Sequence, residues 1–334
     1  MAEQNTLNSI LAKLFLVLVM LLFAGCASMR TQIKQDTVVT AHLRSGSFEA
    51  AAERIEFFKT KNRYTKKERV LYFLDKGAVL HYQGLYAGSN NLLEEADHSM
   101  ENLFTQSISK GAFSMLLNDN ALDYSGEVYE NLFVNILKAV NYLQLQQFDD
   151  AYVEVKRLND KLNLLDDQYG KMVEQFNNTD TSGIRIENQP VKFYNDALAH
   201  YLSYLIFRAE GEIDNARISH EKIRESWQEY PSVYSHNLPG CLLDSAITGQ
   251  NTLNIMAFTG VAPYKKAIGG RITTYDSLLH IADESGYREN LFIKMPGLKG
   301  GYHFKFSFPD LQLPESNVSY VQVVINDSMS YRLE

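Results

Sequence analysis

The chain has very little cysteine, with only Cys26 and Cys241 among 334 residues. A disulfide framework is therefore excluded, because such scaffolds need several paired cysteines. The single tryptophan and seven prolines likewise exclude a tryptophan-rich recognition module or a proline-rich linker protein. Stability must come from a hydrophobic core, and a chain of this length can bury a large one or divide into two units.

Motifs for the common catalytic and cofactor sites are also missing. The chain contains no glycine-rich phosphate loop, no HExxH, no CxxC and no GxSxG. Acidic residues outnumber basic ones by 40 to 32, and the net charge of −8 argues against a nucleic-acid surface. We therefore expect a protein that is not an enzyme, needs no cofactor or metal, and binds no nucleic acid.

What the sequence does have is an apolar run near its start that ends at a cysteine. The run Leu14 to Ala24 is shorter than the roughly 20 residues that cross a bilayer, but it has the length of a signal-peptide core. Small residues directly precede Cys26, which would let a peptidase reach the bond. The order Leu22-Phe23-Ala24-Gly25-Cys26 resembles a bacterial lipoprotein signal, in which the cysteine sulfur takes a diacylglycerol.

That resemblance implies a signal peptide at residues 1–25 and a tether at residues 26–36. Acyl chains such as palmitate on Cys26 would anchor the protein, since lipid contributes roughly 0.8 kcal/mol per buried CH₂ and stable anchoring needs more than one chain. Ala27 stands where an aspartate resembles an inner-membrane retention signal. The expected location is thus the outer membrane, facing the periplasm. An uncleaved signal anchor, or a secretory signal with a stray cysteine, is the alternative.

Farther along, one pattern occurs four times. A turn is followed, five places after its first residue, by a small residue and then by apolar residues at helical spacing. The turns begin at Gly46, Gly84, Gln146 and Gly211, and the small residues are Ala51, Ser89, Ala151 and Ala216. Small residues let two helices approach closely while the apolar residues bury against the next pair. The pattern therefore predicts a series of helix hairpins.

The clearest copy is NILKAVNYLQLQQFDDAYVEVKRLND, residues 135–160. It resembles the tetratricopeptide repeat (TPR), with Ala139, Tyr142, Phe148, Ala151 and Val155 where that motif requires them. The resemblance implies a TPR-like helix-hairpin superhelix over residues 37–230. The copies are unevenly spaced, so extra helices are expected between them, and the polar segment at about residues 176–190 is predicted to be a loop. An unrelated all-α bundle is the alternative.

A longer resemblance covers most of the chain. The order LLNDNALDYSGEVYENLFVNILKAVNYL, AYVEVKRL and GVAPYKK is similar to an uncharacterised family of bacterial tetratricopeptide-like lipoproteins, and it implies no reaction. The residues that carry it are Asn118, Asp119, Tyr124, Gly126, Glu130, Tyr142, Ala151, Glu154, Arg157, Gly260, Pro263 and Lys265. From these we predict partner contacts at Tyr124, Glu130, Tyr142, Glu154 and Arg157. Glu154 and Arg157 lie three apart on one helix, so a purely structural ion pair is the alternative for them.

The helical period ends near Pro231 and Pro239, and a period of two replaces it. Alternation at residues 253–257, 302–308 and 318–325 predicts strands, and TYDSLLHIADESG, residues 274–286, predicts a helix between them. We expect a small β-rich (α+β) unit at residues 252–334, after a mainly α-helical first part.

These features favour a lipid-anchored periplasmic scaffold that binds a protein or peptide partner in cell-envelope assembly or regulation. A cysteine-dependent cell-wall hydrolase would use Cys241 with His236, His280 or His303. A non-catalytic protein that binds envelope glycan is the third class. The carboxylates around His98 in NLLEEADHSME are expected to form a solvated helix face, with a metal site as the alternative.

Overall fold

A computed structural model describes residues 37–110, 123–179, 195–231, 264–283, 291–312, 321–325 and 329–333, with short stretches at 233–234, 237–239, 242, 254–258, 318 and 320. The chain divides into two compact units, Met1–Ile247 and Thr248–Glu334. The chain is mainly helical, and a small antiparallel sheet lies toward its C-terminus. Cys26, the signal peptide and the tether lie outside the described residues.

The helices of the first unit follow one another with short connections. They are α1 (residues 37–44), α2 (Phe48–Thr60), α3 (Arg69–Tyr82), α4 (Tyr86–Lys110), α5 (Val128–Gln144), α6 (Phe148–Thr179), α7 (Ala197–Ala209) and α8 (Ile213–Glu229). A 3₁₀ turn, Lys66–Glu68, leads into α3. The pairs α3–α4, α5–α6 and α7–α8 pack as hairpins, and α1 packs on α2 through Val39 and Leu43. Neighbouring hairpins are in contact through α2–α3, α4–α5 and α6–α7.

The four predicted turns share one backbone geometry. Their first residues, Gly46, Gly84, Gln146 and Gly211, have φ between 59° and 80°. In each turn this residue donates its amide to the carbonyl three places back, and the next amide donates to the carbonyl five places back, over 2.8–3.2 Å. This is the Schellman arrangement that ends a helix at a left-handed residue. As predicted, the small residues that follow the turns are fully buried.

Close helix packing depends on these small residues. A Cβ added to Gly77 on α3 would lie 2.9 Å from Leu93 Cδ2 on α4, so a larger residue there requires the Leu93 side chain or the helix to shift. The Ser89 hydroxyl donates to the Gly77 carbonyl at 2.7 Å across the same contact. Leu93 belongs to an apolar cluster with Val70, Val134 and other residues, which joins α3, α4 and α5.

The predicted loop at residues 176–190 begins too early. Helix α6 continues through Thr179, so residues 176–179 are helical, and residues 180–190 lie outside the described part of the chain. No glycine or proline interrupts the sequence between Lys171 and Thr179, which lets the helix run on.

The second unit is built from six described strands. They are β1 (Tyr264–Tyr275), β2 (Leu278–Asp283), β3 (Leu291–Lys294), β4 (His303–Gln312), β5 (Val321–Ile325) and β6 (Met329–Leu333). The first four form an antiparallel sheet in the order β3-β2-β1-β4, and β5 pairs with β6. The strands predicted at 302–308 and 318–325 correspond to β4 and β5.

Two local predictions in this unit are wrong. The sequence predicts a helix at residues 274–286, but residues 274–283, the part described, form strands and a turn: β1 ends at Tyr275, which pairs with Leu278 across a two-residue turn. Ser277 has φ of 60° in that turn, so Asp276-Ser277 reverses the chain before an apolar-rich strand. Residues 254–258, which overlap the strand predicted at 253–257, form no strand.

No helix of the described residues combines the length and the apolar character that a membrane-spanning segment requires.

Candidate binding cleft

A cleft of about 240 Å³ opens to solvent between α4, α5 and α6. It brings together three of the five residues predicted to contact a partner, which are Tyr142, Glu154 and Arg157. Its other lining residues are Asn90, Asn91 and Glu94 from α4, and Asp150 and Val153 from α6. Residues three or four apart lie on one face of a helix, which places Asp150, Glu154 and Arg157 in a row.

A buried lysine lies beneath the cleft. Lys138 on α5 is fully buried, and its ammonium group donates to Glu94 on α4 and, at 2.9 Å, to Glu154 Oε1 on α6. Burial by itself lowers the pKa of Lys138, but the hydrogen bonds to Glu154 and Glu94 outweigh it and raise the pKa above its ordinary value. Lys138 is therefore a cation that joins three helices, and it is not available as a nucleophile.

Glu154 has both of its carboxylate oxygens engaged. It is only 3% exposed, and while Oε1 accepts from Lys138, Oε2 accepts a hydrogen bond from Asn135 Nδ2 at 2.7 Å. Burying a carboxylate is costly unless it is paired and hydrogen-bonded. The predicted contact residue Glu154 thus supports the cleft from below.

Arg157 lies at the mouth of the cleft. Its side chain is 47% exposed, and Nη1 is 3.4 Å from Glu154 Oε1 and 3.6 Å from Glu94 Oε2. Burial alone would raise the pKa of Glu94, but Lys138 and Arg157 outweigh that effect and lower it, so Glu94 is ionised at neutral pH. The ion pair proposed from the spacing of Glu154 and Arg157 is present, and it includes Glu94.

His98 lies beside the same carboxylate, with its Nε2 3.2 Å from Glu94 Oε1. The two side chains are in contact one helical turn apart on the exposed face of α4. Within the described ranges, no group of three or more histidine, cysteine, aspartate or glutamate side chains is placed to hold a metal ion.

A neutral hydrogen-bond network borders the charged one. Asn141 Nδ2 donates to Ser89 Oγ at 2.9 Å and to Asn90 Oδ1 at 2.7 Å, while its Oδ1 lies 2.6 Å from His81 Nδ1. Burial lowers the pKa of His81 although the hydrogen bond to Asn141 opposes it, so the ring is neutral near pH 7. His81 therefore acts as a donor from Nδ1 that holds α3 against α5.

Asn90 ends this network at the floor of the cleft. Only 6% of the residue is exposed, and its Nδ2 atom is buried and finds no hydrogen-bond partner among the described residues. An unpaired buried donor costs about 1–3 kcal/mol. Asn90 also lines the cleft, so this unpaired donor lies at the boundary of the cleft.

The rim of the cleft carries both signs of charge, with Arg157 at its mouth and Asp150 in the first turn of α6. The Asp150 side chain is exposed and makes no hydrogen bond or ion pair with any other described residue. Burial raises the pKa of the Tyr142 hydroxyl, Lys138 opposes this, and the carboxylates of Glu154, Asp150 and Glu94 raise the pKa further. Lys138 and the three carboxylates thus act on the pKa of the Tyr142 phenol in opposite directions.

The other two predicted contact residues lie at the opposite end of α5. The Tyr124 hydroxyl donates to Glu130 Oε2 at 2.6 Å, and the Glu127 amide donates to the same oxygen at 2.7 Å. Glu130 is the third residue of α5 and completes a capping box with Glu127. Burial and Glu130 raise the pKa of Tyr124.

This end of the helix is remote from the cleft. Glu130 and Tyr142 are twelve residues apart, or about 18 Å along the helix axis. The Tyr124 amide also donates to the Lys67 carbonyl at 2.8 Å, and its ring packs on the apolar cluster of α3, α4 and α5. Tyr124 and Glu130 therefore close the start of α5, and the structure does not bring them to the cleft.

The sequence analysis missed the residues that build the cleft floor. Asn135, Lys138 and Asn141 recur every third position within the apolar run VNILKAVN, residues 134–141, and all three are fully buried. Polar side chains on the buried face of a helix require partners inside the protein. That spacing was the available signal, and it pointed to an internal polar network.

The residues of the hydrolase alternative are only partly described. Cys241 and His236 lie outside the described residues. His280 and His303 both pair with Thr273 from opposite sides of β1, so they share one face of the sheet. The His280 ring stacks on Phe292 with centroids 4.3 Å apart, and His303 Nδ1 is 3.4 Å from Thr273 Oγ1.

A comparison with models of known protein families and a comparison with curated proteins each found no match to this chain. The resemblance to bacterial tetratricopeptide-like lipoproteins therefore stays a prediction.

Proposed function

We propose that this chain is a lipid-anchored periplasmic scaffold that holds a segment of a protein or peptide partner in the cleft between α4, α5 and α6, in assembly or regulation of the cell envelope. The observation that carries the proposal is the cleft floor, where the buried Asn90 amide has an unpaired donor beside charged and aromatic side chains. A partner that accepts a hydrogen bond there removes the cost of the unpaired donor.

The repeated hairpins support a TPR-like superhelix. Four turns with the same Schellman hydrogen bonds, each followed by a fully buried small residue, give successive hairpins a common shape. Stacked hairpins of one shape form extended surfaces suited to holding a polypeptide.

A binding role also agrees with the state of the charged groups. Lys138 is protonated and paired with Glu94 and Glu154, and Glu154 also contacts Arg157. A general acid or base needs a pKa near the working pH. The pKa of Lys138 is raised and that of Glu94 is lowered, so both move away from neutrality.

Photocrosslinking from inside the cleft tests this proposal. Val153, which lines the cleft, and Ile218 on α8 are both 46% exposed, so they form a matched pair. Each is replaced in the full-length protein by a photoreactive residue, and adducts are collected from intact cells. We expect a discrete protein or peptide adduct from position 153, absent from position 218 and absent again when Asn91→Trp fills the cleft. Equal adducts at both positions, or none at position 153, would refute the binding role.

The anchor is tested separately. Cys26→Ser should abolish lipid labelling and release the protein from membranes, because the thiol is the proposed acylation site. If the variant still partitions wholly with membranes, the lipid anchor is wrong, whatever the cleft binds.

A further inference from the structure

We infer that the cleft selects an extended peptide segment bearing a lysine or arginine, whose cation pairs with Asp150 and whose main-chain carbonyl accepts a hydrogen bond from Asn90. The inference rests on the proposed function and adds the chemical class of the partner.

The balance of charge in the cleft favours a cation. Three carboxylates line or border it, from Glu94, Asp150 and Glu154, against the two cations Lys138 and Arg157. Both cations are engaged with Glu94 and Glu154. Asp150 is left without an ion pair among the described residues, so one negative charge at the rim is unmatched.

An anionic ligand has no binding position in the cleft comparable to that of a cation at Asp150. To reach Arg157 it must compete with Glu94 and Glu154, and it must approach Asp150 at the same time. Like charges brought together in this way oppose binding and exclude the wrong partner.

The shape of the cleft fits a long basic side chain. Val153 is three residues beyond Asp150 on α6 and remains 46% exposed, so it offers an apolar surface beside the carboxylate. Lysine and arginine pack their aliphatic stems on apolar surface while their charged ends remain near water. We place the stem over Val153 and the charge at Asp150.

The size of the cleft and its unpaired amide donor suit the main chain of a peptide. The volume of about 240 Å³ is smaller than a typical small-molecule site and accommodates one side chain with its adjoining peptide unit. Asn90 supplies an unpaired amide donor at the floor, which matches a peptide carbonyl. An isolated organic amine would leave that donor unpaired.

NMR titration of the full-length protein tests the inference. The probes are the blocked peptides Ac-Ala-Lys-Ala-NH₂, Ac-Ala-Arg-Ala-NH₂, Ac-Ala-Glu-Ala-NH₂ and Ac-Ala-Ala-Ala-NH₂, with butylammonium as a cation that lacks main chain. We expect the Lys and Arg peptides to shift the Asn90 side-chain amide and Tyr142 signals at millimolar concentration. The Glu and Ala peptides and butylammonium should bind at least about fivefold more weakly, which corresponds to roughly 1 kcal/mol.

Two neighbouring aspartates provide a matched control. Asp149 and Asp150 are both exposed in the first turn of α6, but only Asp150 lines the cleft. Asp150→Asn should raise the Kd for the Lys peptide about fivefold, whereas Asp149→Asn should change this Kd less than twofold. Equal effects of the two substitutions would overturn the role of Asp150.

The outcomes separate this inference from the proposed function. If the Glu or Ala peptide shifts the cleft signals as strongly as the Lys peptide, cation selection is wrong and peptide binding stands. If butylammonium binds as tightly as the Lys peptide, the main-chain contact is wrong. If no probe shifts the cleft signals, both the inference and the peptide-binding function fail.

Discussion

The two ends of α5 use the same kinds of side chain in different ways. At its start, the Tyr124 hydroxyl and the Glu127 amide both donate to Glu130, and the helix is closed. At its far end, Tyr142 lines an open cleft and its hydroxyl makes no hydrogen bond to another described residue. Where the hydrogen-bonding capacity of such residues is filled within the chain, they stabilise the fold. Where it is unfilled, they remain available to a partner.

Substitution in the cleft floor should have the largest effect on the free energy of unfolding. The floor supports the fold, whereas the rim does not. Lys138→Met leaves Glu94 and Glu154 without their shared cation, and Glu154 is nearly fully buried. Breaking a buried ion pair by removing one partner typically costs about 3–5 kcal/mol. We expect urea unfolding to show a loss of this size.

Two further variants check the cause. Arg224→Met replaces an exposed cation on α8 and should change the free energy of unfolding by less than about 0.5 kcal/mol. Adding Glu154→Gln to Lys138→Met removes the stranded charge and should recover part of the loss. A loss below about 1 kcal/mol for Lys138→Met would show that the buried pair does not hold the helices together.

A smaller effect on stability should distinguish Tyr124 from Tyr142. Tyr124→Phe removes a 2.6 Å hydrogen bond to a carboxylate, which is worth about 1.5–3 kcal/mol at most sites and less here because the pair is only partly buried. Tyr142→Phe removes no hydrogen bond within the described residues and should be nearly neutral for unfolding. Thermal melting of both variants measures the contrast, and equal losses would contradict the division of α5 into a structural end and a binding end.

The smallest expected effect on stability comes from a substitution in the turn just beyond α5. Gln146 has φ of 59°, where the other three turns have glycine. Gln146→Gly should stabilise the protein by about 0.5 kcal/mol, since glycine adopts this conformation freely but loses more entropy on folding. Gly84→Gln, where an added Cβ meets no atom within 4 Å, should have the opposite sign. A loss of stability in Gln146→Gly would mean that the glutamine side chain supports the turn.

Local patterns in the sequence were enough to predict the hairpins. Each small residue follows its turn by only five positions, so Ala151 and Ala216 could be placed in the core without knowledge of the fold. The prediction of a helix at residues 274–286 was wrong because the local pattern there is ambiguous. A short apolar run fits either a helix or a strand, and the turn at Asp276-Ser277 decided for a strand.

The cleft could not be predicted in the same way. Lys138 bonds to Glu94, which is 44 positions earlier in the chain, so its partner depends on how hairpins stack. The predicted contact residues came from a resemblance, which does not distinguish a residue that caps a helix from one that faces a partner. Tyr124 and Glu130 are of the first kind, and Tyr142 and Arg157 lie where the second kind is expected.

The most direct test of the account is the effect of Arg157→Ala on the adduct formed from the photoreactive residue at position 153, measured beside the melting temperature. Arg157 is half exposed and its ion pairs are partly solvated, so the melting temperature should fall by less than about 2 °C. We predict a stronger adduct, because loss of the guanidinium leaves the cleft more negative toward the partner's cation. A strongly reduced adduct would contradict the selection of a basic partner, and a fall in melting temperature as large as that of Tyr124→Phe would show that Arg157 supports the fold.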